Sequence, residues 1–352
     1  MKKAIKNVRL YGTLTDITVE DGKIVSIGKT DIPGEDFGGN KIYPGLIDIH
    51  AHGYIGYDTM EGHLYEMSEW LLSKGTTAWY PTTMTMSRES IKRATEIDIS
   101  KIGGASVLGF HMEGPFINAA YKGAQNGEFI TPPDLSFLLE CKNIKMVTIA
   151  PELEGSVDFI KNSPAIVSLG HTAADYDTAK AAFDAGAKCL THTFNAMPPF
   201  LHRAPGPIGA GADTEGVYAQ IISDGKHTHP STVRMLVKLF GEDRVIIISD
   251  AMRATGLSDG EYEFGGQKIT VTEGFARTEG GNLAGSTSTL FECVRTAISF
   301  GISEESAVRM ASENPARLMG LNKGVIAEGY DADFLIVDDD FNLVKAIARG
   351  EI

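Results

Sequence analysis

The chain has 352 residues, 43% of them hydrophobic, with 46 acidic against 32 basic side chains and a formal net charge of −14. That length accommodates one large domain and a small companion, and the charge argues against nucleic acid or an anionic membrane surface as the main partner. Cys141, Cys189 and Cys293 have no paired spacing, which predicts free thiols in a reducing, cytoplasmic compartment; no apolar run is long enough to span a bilayer, and the opening residues lack the apolar core of a signal peptide.

In chain order, short strands come first. Val8-Arg-Leu-Tyr-Gly12, Asp16-Ile-Thr-Val-Glu20 and Lys23-Ile-Val-Ser-Ile-Gly28 alternate, and Asp21-Gly22 between the last two is a strong hairpin signal. Eight short apolar runs follow at 46–50, 77–81, 107–111, 146–150, 165–170, 189–192, 218–223 and 245–249. Their spacers carry helical periodicity, as at 63–73, 178–185 and 231–240. Eight strand-then-helix units predict an α/β fold of the (β/α)8 TIM-like barrel type. A glycine-rich stretch at 257–285 then predicts a hairpin around Gly265-Gly266, two helices are predicted at 287–300 and 303–318, and Gly329-Tyr-Asp-Ala-Asp-Phe-Leu-Ile-Val-Asp338 reads as a strand. With β structure at both ends, the expectation is a small β-sandwich domain built from residues 1–45 and 323–352, flanking a barrel at 46–322.

The most informative stretch is Asp48-Ile49-His50-Ala51-His52. Residues i and i+2 of a strand face the same way, so both imidazoles project together from the end of the first run, as two ligands of one divalent ion would. One His-x-His is weak evidence, and an isolated histidine at a strand end more often caps a loop. Here, however, six of the nine histidines, His50, His52, His111, His171, His192 and His227, lie at or next to ends of apolar runs. Glu113 follows the third run and Asp250 the eighth. In a barrel the C-terminal strand ends are where active sites form. Four histidines, a glutamate and an aspartate suffice for a one- or two-metal site.

These phrases resemble the amidohydrolase superfamily, and more closely its N-acetylglucosamine-6-phosphate deacetylases. The match rests on Pro44-Gly-Leu-Ile-Asp-Ile-His-Ala-His-Gly53, His111-Met-Glu-Gly-Pro-Phe-Ile117, Leu169-Gly-His-Thr172, Thr191-His-Thr-Phe-Asn-Ala-Met197, Ser223-Asp-Gly-Lys-His227, Ser249-Asp250, Leu283-Ala-Gly-Ser286 and Glu313-Asn-Pro-Ala316. The resemblance implies removal of the N-acetyl group of N-acetylglucosamine 6-phosphate, giving glucosamine 6-phosphate and acetate. It implies a metal triad of Glu113, His171 and His192. His50 and His52 would complete a second site, with Glu113 bridging and Asp250 close by, so two divalent ions per chain, zinc or iron, are expected. The fourth run ends in Ala150-Pro-Glu152, without the bridging lysine of many superfamily members, which favours Glu113 as the bridge.

Asp250 is implied as the catalytic base and acid, taking a proton from water bound to metal, whose pKa an ion lowers to about 7, and passing it to the leaving amine. An aspartate at such a position could instead cap a helix. Arg203 and His227 are implied as phosphate ligands, since an acidic protein needs local cations for an anionic substrate. In the family part of this contact comes from a neighbouring subunit, which implies a homodimer. Ala124, Gln125, Asn195, Ala196, Leu283, Ala284 and Gly285 match positions lining the sugar pocket. His111 reads as packing beside the site. The rival readings are another amidohydrolase reaction on the same metals, such as cyclic amide opening or deamination, and a non-catalytic protein that has kept the fold.

Overall fold

The computed structural model describes residues 2–351. One sheet draws on both ends of the chain. Its strands run in the order Leu343–Ile347, Phe334–Val337, Lys41–Pro44, Lys3–Leu10, Thr13–Glu20 and Lys23–Ile27, and Gly34–Asp36 also pairs with Lys3–Leu10. Phe334 lies antiparallel to Pro44, and Glu20 pairs with Lys23 across the Asp21-Gly22 turn. Alternate apolar side chains (Ile5, Val8, Ile17, Val19, Ile24, Ile42, Phe334, Ile336 and Ile347) gather into a core of their own. Lys323 is buried beneath, its ammonium 2.6 Å from Asp333 and 2.9 Å from Asp331.

The middle of the chain is a parallel barrel. Its eight strands are Leu46–Ala51, Thr76–Thr83, Phe110–Glu113, Ile144–Ile149, Ile166–Leu169, Cys189–Leu190, Tyr218–Ile222 and Val245–Ile248. The first and eighth meet through Ala51 and Ala251, with the Asp250 N–H donating to His50 O at 2.9 Å. Strand period decides which residues go where. Val245 and Ile247 cluster with helix residues Leu236 and Phe240, whereas Ile246 and Ile248 cluster with Ile47, Ile49, Met146 and Ile222 from other strands. The first set packs outward on helices and the second fills the barrel. Each such side chain removed from water contributes roughly 1.5–3 kcal/mol of hydrophobic stabilisation.

Three elements differ from the sequence reading. The third strand begins at Phe110, and Ser106–Val107 pairs separately with Thr76–Thr83. Gly109 is the cause: its φ is +136°, and a Cβ there would sit 2.4 Å from Lys145, so the strand breaks and restarts, with Glu113 as its last residue. The hairpin after the eighth strand gains a third strand, giving Gly260–Phe264, Gln267–Thr272 and Phe275–Thr278. The helix expected over 303–318 is two helices, Glu304–Ala311 and Glu313–Met319, parted at Ser312. Pro315, which has no N–H to donate back along a continuous helix, instead occupies the first turn of the second one, where no such bond is needed. Among the described residues no helix is long and apolar enough to cross a membrane.

Candidate metal centre

The strand ends converge as the barrel geometry demands. His50 lies on the first strand, His52 just past it and Glu113 at the end of the third. His171, His192 and Asp250 each stand two residues beyond their strands, which end at Leu169, Leu190 and Ile248. All three have left-handed backbones, with φ of 48°, 28° and 48°. Left-handed conformation is uncommon for residues other than glycine and costs of order 1–3 kcal/mol in sparsely populated regions. Its recurrence at three converging side chains marks this end of the barrel as the place where strain is tolerated. Gly285 belongs to the same wall: at φ +68°, it brings backbone so close that a Cβ would lie 3.1 Å from Asp250 O.

All six residues are buried, none more than 8% exposed. Two groups among the described residues could each hold an ion: His50, His52 and Glu113, and Glu113, His171 and His192. Glu113 is common to both. Its Oε1 lies 3.2 Å from His50 Nε2, 3.3 Å from His171 Nε2 and 3.0 Å from His192 Nε2, while Oε2 lies 3.1 Å from His52 Nε2. Asp250 Oδ1 is 3.4 Å from the Nε2 of both His50 and His52.

The outer nitrogens fix the protonation pattern. His50 Nδ1 faces Gln220 Oε1 at 3.1 Å, His52 Nδ1 faces Thr82 O at 3.2 Å, His171 Nδ1 faces Tyr121 O at 2.8 Å and His192 Nδ1 faces Asn195 O at 3.2 Å. Oxygen acceptors there require Nδ1–H donors, so each ring turns Nε2 inward. Four ring nitrogens and two carboxylates then crowd together. His171 and His192 approach to 3.1 Å between Nε2 atoms, and His50 Nε2 is buried without an aligned hydrogen bond. Such a gathering of lone pairs is held together by protons or by a cation.

The electrostatics agree. Burial pushes the His52 pKa down, but hydrogen bonds and charge from Asp250 and Glu113 outweigh it and raise the value to about 10. His50 is raised likewise, against its burial, by the charges of Glu113 and Asp250. Burial opposes ionisation of Glu113 and Asp250, yet the histidines hold both carboxyls below their usual range, Glu113 well below. The site therefore demands positive charge, and imidazole with carboxylate is a donor set suited to zinc or iron. The residues present fit a divalent metal.

The predicted residues do not all assemble. A pocket of about 410 Å³ opens over the cluster, and Ala124, Gln125, Asn195, Ala196, His227, Leu283 and Gly285 line it. Ala284 is buried behind the lining. Arg203 is exposed in the turn closed by Leu201 and Ala204 and does not reach this chain's pocket. Gln125 lines the pocket, but its amide is engaged by the protein: Nε2 donates to Glu113 Oε2 at 2.6 Å, and Oε1 accepts from the Thr85 N–H at 2.7 Å. His111 lies beneath, 2.8 Å from Thr148 Oγ1, with its ring edge-on to His50 and burial forcing its pKa well down. Of the histidines without an assigned role, His63 stacks on Tyr57 and His229 caps the helix Pro230–Phe240.

Sequence reasoning missed Gln220, which orients His50, and the pocket residues Tyr121, Phe264 and Asn282. Gln220 is an isolated polar residue inside an apolar run, and that was the available signal. Phe264 belongs to the added three-stranded sheet and sets its ring edge against His52, 5.2 Å between centroids.

Comparison with known proteins gives a consistent picture. The sequence model of the amidohydrolase family matches residues 42–352. N-acetylglucosamine-6-phosphate deacetylase of Bacillus subtilis (strain 168) is 37% identical over 96% of this chain and 92% of its own length. N-acetylgalactosamine-6-phosphate deacetylase of Escherichia coli O157:H7 is 31% identical over 96% and 94%. Among solved structures, N-acetylglucosamine-6-phosphate deacetylase from Thermotoga maritima superposes with a TM-score of 0.91 at 33% identity, covering 99% of this chain and 98% of that one. A variant of the Mycobacterium smegmatis enzyme in complex with N-acetyl-D-glucosamine-6-phosphate gives 0.91 at 30% identity, covering 100% and 98%. The chain belongs to the amidohydrolase family, among its N-acetylglucosamine-6-phosphate deacetylases.

Proposed function

We propose that this enzyme hydrolyses the acetamide of N-acetylglucosamine 6-phosphate to glucosamine 6-phosphate and acetate. The observation that carries the reading is the convergence of His50, His52, Glu113, His171, His192 and Asp250 under one pocket. Two divalent ions, zinc or iron, would be held by His50, His52 and Asp250 on one side and His171 and His192 on the other, with Glu113 shared. When bound, such ions supply Lewis acidity toward the water and the acetyl carbonyl.

The chain's own groups do the rest. Asp250 takes a proton from the attacking water as the new C–O bond forms. It returns that proton to the amine nitrogen as the C–N bond breaks. Its low pKa, maintained against burial by the neighbouring histidines, keeps it ionised and ready to accept. Asn195, Ala196, Leu283 and Gly285 form the walls that orient the sugar ring. Phe264, packed on His52, keeps that side of the cluster dry. Ala124 completes the wall, and Ala284 supports it from behind. The phosphate is met by His227, and by Arg203 from a second copy in a cytoplasmic homodimer.

The test is acetate release from the 6-phosphates of N-acetylglucosamine and N-acetylgalactosamine and from unphosphorylated N-acetylglucosamine. Highest kcat/KM on N-acetylglucosamine 6-phosphate supports the assignment. Preference for the galactose epimer or for the neutral sugar refutes it.

A further inference from the structure

The pocket has a charge problem. Among the described residues its lining holds no lysine or arginine, and three of its four histidines, His52, His171 and His192, are committed to Glu113. Of the described lining residues, His227 is the one left to present positive charge from this chain. It does not stand alone. Asp224 Oδ2 lies 2.8 Å from His227 Nδ1, and its other oxygen accepts the backbone N–H groups of Lys226 and His227, each at 2.9 Å. The carboxylate is thus fixed from three sides, and the pair is buried, with side chains 0% and 6% exposed. Lys226 cannot substitute as the pocket cation, because its ammonium is spent on Gly274 O at 2.9 Å and Thr287 Oγ1 at 3.2 Å. With Nδ1 held by Asp224, Nε2 is the ring nitrogen left for a ligand.

We propose that Asp224 is a positioning residue that keeps His227 charged and its Nε2–H directed at the substrate's phosphate, and so sets the preference for phosphorylated over neutral sugar. This rests on the phosphosugar reading above. Burial lowers the His227 pKa, but Asp224 outweighs it, with a smaller contribution from Asp250, so the ring is raised above its ordinary value despite the nearby Lys226. Burial likewise opposes the charge on Asp224, which the imidazolium and the two N–H donors restore. A buried aspartate and imidazolium then act as an oriented dipole, positive end to the pocket. That arrangement recognises a dianion on an otherwise acidic protein.

Asp224→Asn tests it. The amide can still accept the two backbone N–H groups and can donate to His227 Nδ1, so the ring keeps its place and its Nε2–H but loses its charge. Loss of a charge-assisted hydrogen bond of this kind corresponds to about tenfold to a hundredfold in binding. The ratio of kcat/KM for N-acetylglucosamine 6-phosphate over N-acetylglucosamine should fall by that factor, mainly through KM. The His227 ring should change from cationic to neutral at pH 7 in its nitrogen NMR shifts, with metal content unchanged. His227→Gln should lose the same ratio, and the double variant no more than either alone. An unchanged ratio, an unchanged ring charge, or additive losses from the two changes would each overturn the proposal. A wild-type enzyme with no phosphate preference would instead refute the phosphosugar reading itself, which separates the two failures.

Discussion

His171 and His192 bring their Nε2 atoms to 3.1 Å while their Nδ1 atoms face the carbonyls of Tyr121 and Asn195. Two imidazoles held in that tautomer turn lone pairs toward each other. Backbone carbonyls on one side and Glu113 on the other hold them there, so the cluster is organised for a cation before any is bound. This is the outer-shell logic of metal sites, legible in the protein alone.

Glu113 is the group both halves share, and its replacement should affect both. Glu113→Gln is expected to lose both ions, whereas a His50→Gln/His52→Asn variant should keep the ion of the His171 side. Elemental analysis after reconstitution reads this directly. One ion per wild-type chain, with the His50/His52 variant fully active, would refute the two-ion arrangement.

Asp250→Asn keeps a side-chain oxygen that can still face the ion beside His50 and His52, so it should preserve the fold and metal content yet lose roughly 10²–10⁴ in kcat, the usual contribution of a positioned acid or base. Near-native turnover in this variant would remove Asp250 from the proton transfer.

Gln125 should act on Glu113 and not on the substrate. Gln125→Leu removes the 2.6 Å hydrogen bond to Oε2, and loss of such an orienting partner typically costs about 10–100-fold in metal affinity or activity. Competition with a chelator should show weaker metal retention. Unchanged retention with a raised KM would return Gln125 to substrate binding.

Metal uptake should release protons. The metal-free His52 has a pKa raised to about 10, so at pH 7–8 it carries a proton that an ion must displace. The accompanying stability has a definite sign. Because the folded value lies above the ordinary one of about 6.5, the contribution is complete below that pH and disappears as pH rises through about 10. Chelated protein should therefore lose Tm between pH 7 and 10 more steeply than metal-loaded protein. Calorimetric titration in buffers of different ionisation enthalpy measures the released protons, and none released at pH 7.5 would contradict the assignment.

Arg203 is exposed and outside its own pocket, so its proposed phosphate contact requires a second copy. Mixing Arg203→Ala with Asp250→Asn protein should then restore activity, because a mixed dimer contains one site with both residues intact. No recovery under conditions that exchange subunits would confine Arg203 to a structural role.

Short apolar runs and helix-length spacers determined the barrel, because strands buried on both faces leave a continuous apolar trace in the chain; the terminal β segments were legible instead from their alternation. The ligand types were legible too, since histidine, glutamate and aspartate clustered at run ends have few other uses. Folding alone decided the rest. The left-handed turns at His171, His192 and Asp250 leave no mark in residue type, since glycine is absent from all three positions. Gln125 was read as facing substrate, and only the proximity of Thr85 and Glu113, 40 and 12 residues away in the chain, commits its amide to the protein. Gln220 and the Asp224–His227 pair acquire their roles only through specific short contacts, and Arg203 lies where the turn at 201–204 carries it. Sequence patterning records which face of an element is buried. It does not record which polar atoms meet there, because those distances are set by packing between elements remote in the chain.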